Sequence, residues 1–263
     1  MKISVNDPCT STEMQAYYLG SVIEDEQVVI VGTGLPLVGA CLAKKHLAPS
    51  CSLIVEAGLT DCNPIDIPRS VSDIRFMAHC SVQWPPYRYL GFQANEWLHD
   101  SKRLIAFIGG AEIDPYGNVG STCVGDYHRP KLRLPGSGGA NGISTFCDTV
   151  IAMQHQKRRF KETVTYITSP GWIDGPDGRA RRGIPSNRGP RMVVSDRGVM
   201  KFDDDTKRMY LYGYYPASSP EDILENTGFD MDVSRAVLLP EPSPELIKIL
   251  RVEVDPERTF LDA

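Results

Sequence analysis

The chain has 263 residues, of which 41% are hydrophobic and 23% are charged, so it suits a folded globular protein with a sizeable core and not a disordered chain. Its formal net charge of -5 argues against a nucleic-acid partner, because binding to phosphate backbones rests on clustered lysine and arginine. The seven cysteines are odd in number and form no Cys-x-x-Cys pair, so neither a zinc site nor a disulfide framework is indicated.

The sequence also bears on the compartment. Residues 1–8 lack the apolar core of a signal peptide, and no apolar run reaches the roughly 18 residues that a membrane span needs. Scattered thiols are typical of a reducing environment. We therefore expect a soluble cytoplasmic protein.

The first predicted elements form a βαβ unit. Residues 27–31 are a β-branched run typical of a buried strand, and the Gly32-Thr33-Gly34 segment ends it. Residues 37–46 then predict a helix. Residues 52–55 predict the next strand, which delivers Glu56 at its carboxyl end. Such a crossover implies a parallel sheet.

The remaining elements complete an α/β pattern. Further strands are predicted at residues 104–108, 149–153, 163–167 and 191–194, with a hairpin formed by residues 199–202 and 208–212. Two helices are predicted to begin at Ser219-Pro220 and Ser243-Pro244, where an N-cap serine precedes a proline, and Gly228 stops the first of them. Since no internal repeat or linker is visible, we predict one domain over residues 1–263, an open, mostly parallel sheet flanked by helices.

A long segment without apolar periodicity, residues 169–190, lies between predicted strands. Loops of this length are uncommon in compact domains and tend to be functional or interfacial. Five arginines make its latter part basic: Arg179, Arg181, Arg182, Arg188 and Arg191. Two interpretations stay open, a solvated surface loop or a surface that docks a partner subunit or binds phosphate groups through the guanidinium fork.

Glu56 is the leading candidate for a catalytic residue. The carboxyl ends of strands in open parallel sheets point into the crevice where ligands bind. The alternative is an ion-paired or helix-capping glutamate, and its position alone does not decide between the two.

The turn that contains Gly34 precedes the first predicted helix and suggests a dinucleotide site. However, its spacing places Leu37 where the dinucleotide fingerprint has its third glycine, and Pro36 lacks the backbone donor that a pyrophosphate would need. We interpret Gly34 as part of a tight turn beside an active site.

Two further segments are candidate sites. In residues 136–142 (GSGGANG), small residues allow a ligand to approach the backbone, and successive amides can form an oxyanion hole, although a flexible loop is the alternative. Residues 109–118 place Glu112 and Asp114 near a turn, for which ordinary β-turn chemistry is the simpler account. No spacing of histidines or acids indicates a metal.

Together these motifs resemble the β subunits of the glutaconate type of family I CoA-transferases. The resemblance spans almost the whole chain and keeps the motifs in order. It is carried by residues 31–36 (VGTGLP), 55–58 (VEAG), 68–70 (PRS), 76–80 (FMAHC), 113–118 (IDPYGN), 125–128 (GDYH), 136–142, 169–176 (SPGWIDGP) and 218–230.

The resemblance implies a subunit that pairs with a homologous α subunit, in α2β2 or α4β4 assemblies with the active site at the α–β junction. It places the family's catalytic glutamate at Glu56, where Ala57 replaces the serine of the usual V-E-S-G segment. It places the oxyanion segment on Gly138, Gly139 and Ala140. No permanently bound cofactor is implied, since the coenzyme A thioester is a substrate.

The implied reaction moves CoA from acetyl-CoA or a similar acyl-CoA to glutaconate or a related short dicarboxylate, through a glutamyl-CoA thioester on Glu56. Glu112 departs from the glutamine usual in the family, and a second acid near Glu56 would repel acidic substrates or raise a carboxylate pKa by like-charge proximity. The alternatives on this scaffold are a ring-opening hydrolase of CoA thioesters and a CoA-ester decarboxylase. In the decarboxylase a cysteine replaces the glutamate, so Glu56 argues against it.

Overall fold

The computed structural model describes residues 7–83 and 103–262, so part of the N-terminal stretch considered above, residues 1–6, lies outside the described residues. The chain divides into two compact units, which are described in turn. Unit 1 is Met1–Phe107 with Pro240–Ala263, and unit 2 is Ile108–Leu239. Within the described ranges, no helix is long and apolar enough to cross a membrane. The organisation as one domain stays a prediction.

The described residues form both strands and helices. The strands are β1 (Val28–Ile30), β2 (Ser52–Val55), β3 (Leu59–Thr60), β4 (Val82–Gln83), β5 (Leu104–Ile108), β6 (Glu112–Ile113), β7 (Val119–Gly120), β8 (Cys123–Gly125), β9 (Pro130–Arg133), β10 (Asp148–Met153), β11 (Pro190–Ser195), β12 (Gly198–Phe202), β13 (Met209–Tyr214) and β14 (Val237–Leu238). The α-helices are α1 (Ser11–Ser21), α2 (Leu35–Leu42), α3 (Ile74–Ala78), α4 (Ala140–Phe146), α5 (Gly178–Arg181), α6 (Pro220–Glu225) and α7 (Pro244–Ile249). Two π-helical turns, Ala43–Leu47 and Leu250–Val254, extend α2 and α7.

The sheet of unit 1 has the strand order β5-β1-β2-β3-β4. β1 pairs in parallel with both β2 and β5, whereas β3 and β4 are antiparallel additions at one edge. The predicted βαβ unit is therefore confirmed. Its helix begins at Leu35, with Pro36 in the first turn, and the π-helical turn carries it to Leu47.

Close contact between two helices fixes α2 within unit 1. A Cβ atom at Gly20 of α1 would lie 2.6 Å from the Gly39 carbonyl oxygen of α2, and one at Gly39 would lie 2.7 Å from the Ala16 carbonyl oxygen. Real Cβ atoms do not come that close, so glycine is required at both positions. This packing sets the position of α2 and of the turn that precedes it.

The sheet of unit 2 has the order β14-β13-β12-β11-β10. β10 and β11 are parallel, as are β13 and β14, while β11, β12 and β13 run antiparallel in sequence. The predicted hairpin is present as β12 and β13.

The Ser219 side chain caps α6, and Ser243 caps α7, as predicted. The α/β class with an open sheet and flanking helices is confirmed.

One predicted strand is wrong. Residues 163–167 form no strand, because the backbone N–H of Thr165 donates to the Glu112 carboxylate at 2.7 Å instead of to a neighbouring strand. Tyr166 and Ile167 are exposed, at 42% and 41%. The apolar pattern of this segment therefore does not reflect pairing in a sheet.

A buried histidine lies in the core of unit 2. The His155 ring stacks on Phe160 with the ring centroids 3.9 Å apart, and its Nε2 lies 2.9 Å from the Thr227 hydroxyl. That hydroxyl donates to the Ile223 carbonyl, so its oxygen accepts from Nε2–H. Burial, with a further contribution from the Arg197 charge, lowers the pKa of His155 to about 3.

This histidine predicts a pH dependence of folding. Because the folded pKa lies below the unfolded value of about 6.5, the neutral ring stabilises the fold above pH 6.5, and that contribution is lost as the pH falls towards 3. At pH 4 the loss is about 3 kcal/mol relative to pH 7. Urea unfolding of the full chain measures the free energy of unfolding at pH 7 and at pH 4. In His155→Gln, the difference between these two free energies should be smaller than in wild type by about 3 kcal/mol. His128→Gln, at an exposed site, is the control. If the free energy of unfolding changed equally with pH in wild type and in His155→Gln, the prediction would be contradicted.

Candidate active site

Glu56 lies at the tip of a tight hairpin in unit 1. The three residues Glu56, Ala57 and Gly58 connect β2 to the antiparallel β3. The Gly58 N–H donates to the Val55 carbonyl at 3.0 Å, and Gly58 has φ of +82°, a conformation that three-residue hairpin loops require and that glycine adopts without strain. The local sequence V-E-A-G thus lifts Glu56 out of the sheet at the end of a buried strand.

The Glu56 carboxylate is exposed to solvent. In residues 7–83 and 103–262, no ion pair or side-chain hydrogen bond involves it, so the alternative of an ion-paired or capping glutamate finds no support there. A carboxylate nucleophile, unlike a hydroxyl, has no proton to lose when it attacks and so needs no general base.

The turn with Gly34 lies beside the Glu56 hairpin, at the same edge of the unit 1 sheet. Ile30 of β1 pairs with Ile54 of β2, so Gly32 and Glu56 each follow the last paired residue by two positions on adjacent parallel strands. Gly34 is the N-cap of α2, with φ of +92° and ψ of -159°, which a side chain would not tolerate. The predicted tight turn is therefore present.

A cavity of about 700 Å³ lies within unit 2. Residues from both candidate segments, 109–118 and 136–142, line it, together with a basic group that was not predicted from the sequence. The lining comprises Gly109, Gly110, Ala111, Glu112, Ser121, Val124, Leu132, Leu134, Pro135, Gly136, Ser137, Ala140, Arg158, Arg159 and Lys161.

The glycine-rich segment forms a fixed turn at one wall of this cavity. Ser121 holds Gly136 twice, since its carbonyl accepts the Gly136 N–H and its hydroxyl donates to the Gly136 carbonyl, each at 2.9 Å. The Ala140 N–H donates to the Ser137 carbonyl at 2.9 Å, so this amide is already engaged. Among the described residues, the amides of Gly138 and Gly139 have no acceptor, and both residues are exposed. Two of the three predicted oxyanion residues thus offer free donors.

Glu112 lies at another wall with its charge compensated. Its side chain is 2% exposed and forms an ion pair with Lys161. It also accepts hydrogen bonds from the backbone N–H and the hydroxyl of Thr165, at 2.7 and 3.1 Å. Glu112, which replaces the glutamine usual in the family, is therefore neutralised locally by Lys161. The repulsion of acidic substrates stays a prediction.

The turn that follows Glu112 matches its β-turn interpretation. Asp114 accepts hydrogen bonds from the Tyr116 N–H at 2.9 Å and from the backbone and side-chain amides of Asn118 at 3.1 and 2.8 Å. Burial raises the pKa of Asp114 to about 6, against the opposing effect of these donors. Asp114 therefore shapes the loop behind the cavity and does not line it. In the part of the chain that the structure describes, no group of three or more metal-ligating side chains is assembled.

The basic wall consists of Arg158, Arg159 and Lys161. These residues follow the carboxyl end of β10, where the segment K-R-R-F-K runs from residue 157 to residue 161. This run of cations after a strand is the sequence feature that could have indicated a binding site. On its own, it is equally typical of a solvated surface, and only the folded structure shows that it lines a cavity.

The arginine-rich loop is only partly a basic surface. Arg179 is fully buried and donates hydrogen bonds to backbone carbonyls, and Arg188 is buried beside Asp148 at 3.3 Å. The hypothesis that these two bind a partner or phosphate groups is wrong, because their guanidinium groups hold the loop together. Arg182 and Arg191 are exposed.

Comparison with known proteins decides the family. A sequence model of the coenzyme A transferase family matches residues 12–226. The chain belongs to this family. Its similarity to the B subunit of glutaconate CoA-transferase from Acidaminococcus fermentans is 61% identity over 252 residues, which cover 96% of this chain and 95% of that protein. The predicted resemblance is therefore confirmed.

Two further comparisons agree with membership of the CoA-transferase family. The crystal structure of glutaconate coenzyme A-transferase from Acidaminococcus fermentans superimposes with a TM-score of 0.94 at 60% identity, covering 97% of this chain and 98% of that one. The B subunit of 3-oxoadipate CoA-transferase from Pseudomonas knackmussii is 30% identical over 84% of this chain and 83% of its own length.

Proposed function

We propose that this chain is the catalytic B subunit of a heteromeric enzyme that moves CoA from acetyl-CoA, or a similar acyl-CoA, to glutaconate or a related short dicarboxylate. The observation that carries the proposal is the exposed, unpaired Glu56 at the tip of its hairpin, in a chain 61% identical to the B subunit of a glutaconate CoA-transferase. Both similar proteins are named as B subunits, which supports a second subunit as partner. That this partner is a homologous α subunit, in an α2β2 or α4β4 assembly, is part of the proposal.

The chemistry follows from an ionised carboxylate and an electrophilic thioester. The Glu56 carboxylate attacks the acyl carbonyl of the donor, which gives a mixed anhydride and releases CoA thiolate. The thiolate then attacks the glutamyl carbonyl, so that a glutamyl-CoA thioester forms and the donor acid leaves. The acceptor acid runs the same two steps in reverse, and the thioester bond energy is kept because water does not take part.

Each tetrahedral step places negative charge on a carbonyl oxygen. The free amides of Gly138 and Gly139 are the donors that we assign to this oxyanion, and a well-placed donor contributes about 3 kcal/mol in typical enzymes. Ala140 contributes to the segment by ordering the turn, since its own amide is engaged with Ser137. The Gly34 turn lies beside the nucleophile and brings backbone close to the reacting group.

Acceptor dependence tests the proposed function. The enzyme assembled with its α subunit should convert acetyl-CoA only when glutaconate or another short dicarboxylate is added, with the parallel double-reciprocal lines of a ping-pong reaction. A ring-opening hydrolase or a decarboxylase on the same scaffold would consume a CoA thioester with no acceptor acid. Turnover without acceptor at the rate found with acceptor would therefore overturn the proposal.

A further inference from the structure

We propose that the cavity of unit 2 binds the phosphate groups of the coenzyme A substrate through Arg158 and Arg159, which Gln156 positions side by side. The inference rests on the proposed function for the identity of the ligand. It adds to that function a binding site for the nucleotide end of the substrate.

The two guanidinium groups share one acceptor. The Gln156 side-chain oxygen accepts hydrogen bonds from Nε of Arg158 at 2.8 Å and from Nε of Arg159 at 3.3 Å. The Gln156 amide nitrogen in turn donates to the Gln154 side-chain oxygen at 3.2 Å, which fixes the orientation of the amide. Both arginines are thereby held at Nε, and among the described residues Nη1 and Nη2 of Arg158 and Nη2 of Arg159 have no hydrogen-bond acceptor.

The charge of the cavity is unbalanced. Its ionised lining residues are Glu112, Lys161, Arg158 and Arg159. Glu112 and Lys161 neutralise one another as an ion pair. No carboxylate of the described ranges pairs with either arginine, although Nη1 of Arg159 reaches the Gly110 carbonyl at 3.4 Å. Two uncompensated guanidinium charges beside each other favour a multiply charged anion.

Phosphate is the anion that fits this arrangement best. A guanidinium fork matches phosphate oxygens in geometry, and two adjacent forks match a diphosphate or a phosphate monoester dianion. Arg158 is exposed and Arg159 is half-buried, so the pair extends from the cavity to solvent, where a phosphorylated end would lie.

The size and the opposite wall of the cavity also favour the coenzyme over the acid. A volume of about 700 Å³ falls in the range of sites for drug-sized ligands and far exceeds the need of a five-carbon dicarboxylate. Apolar side chains face this space, as an adenine ring or a pantetheine arm requires: Val124, Leu132, Leu134 and Pro135.

The test measures binding and kinetics of the assembled enzyme. Arg158→Ala and Arg159→Ala should each raise the KM for acyl-CoA, and the Kd for free CoA in calorimetry, about tenfold or more, since each removes a charge-assisted contact. The KM for the acceptor acid and the kcat should stay within about twofold. Gln156→Ala should weaken CoA binding by a smaller factor, because the charges remain and only their positioning is lost. Lys157→Ala is the matched control, with an exposed cation in the same run that does not line the cavity.

The outcomes separate this inference from the proposed function. Dephospho-CoA identifies the group: if the variants lose affinity for it as well, the diphosphate is bound, and if they lose none, the 3′-phosphate is bound. A rise in the KM for the acid alone, or unchanged CoA binding in the double variant, would overturn the inference. CoA binding that depends on both arginines in an enzyme without transferase activity would leave the inference intact and count against the proposed function.

Discussion

Replacing the nucleophile should abolish CoA transfer while leaving the fold intact. We expect Glu56→Ala to lower the rate of transfer by at least about 10⁴-fold. Both covalent intermediates of the proposed ping-pong sequence form on the Glu56 carboxylate, and alanine has no nucleophile to replace it. The side chain is exposed and makes no side-chain hydrogen bond or ion pair within the described ranges, so the free energy of unfolding should change by less than about 0.5 kcal/mol. Association with the α subunit should persist. The measurement is the initial rate of acetyl-CoA-dependent transfer with the assembled enzyme.

Trapping the intermediate locates the reacting carboxylate directly. Wild-type enzyme incubated with acyl-CoA and no acceptor should give a hydroxamate at Glu56 on addition of hydroxylamine, visible as a mass shift in the peptide that contains the V-E-A-G segment. Glu24→Ala is the matched control, since Glu24 is also an exposed glutamate of unit 1 and should leave both rate and trapping unchanged. A trapped adduct at another residue, or full activity in Glu56→Ala, would mean that this chain only supports an active partner.

Elements with local signals were predicted well. The β1–α2–β2 unit follows from two β-branched runs and a glycine–proline helix start, and α6 follows from a capping serine with a proline behind it. The strand predicted at residues 163–167 failed because its amide at Thr165 binds Glu112, which lies 53 residues earlier. A local pattern carries no information about such a partner.

The candidate site divides in the same way. Glu56 could be placed from sequence because a strand end and Gly58 fix its hairpin locally. The cavity of unit 2 could not be predicted from the sequence. It forms only where the segment after β5, the glycine-rich turn and the cations after β10 come together in the fold. Charged residues in one run are usually solvated, and only the fold shows that Arg158 and Arg159 lie at a cavity while Lys157 does not.

Arg179 illustrates how an arginine in a basic loop becomes a structural residue. All five N–H groups of its guanidinium have a backbone carbonyl acceptor, at distances of 2.7 to 3.3 Å: Pro185, Pro170, Gly171, Ser144 and Thr145. The first three carbonyls belong to the loop of residues 169–190, and the last two belong to α4, which follows the glycine-rich turn. Burial lowers the pKa of Arg179 to about 10, which still leaves the group charged at neutral pH.

Removing this guanidinium should therefore destabilise unit 2 strongly. We expect Arg179→Met to lower the free energy of unfolding by about 4 kcal/mol, because five carbonyls lose their donors at once in a buried setting. In thermal unfolding of the full chain, the midpoint should fall by about 10 °C. Arg179→Lys should recover only part of this loss, since an ammonium has three donors and no planar fork. Arg182→Ala, three residues later in the loop and exposed, is the control and should stay within about 0.5 kcal/mol of wild type. If Arg179→Met instead kept wild-type stability and weakened CoA binding or assembly with the α subunit, the loop would be a recognition surface after all, and the structural role assigned to Arg179 would be wrong.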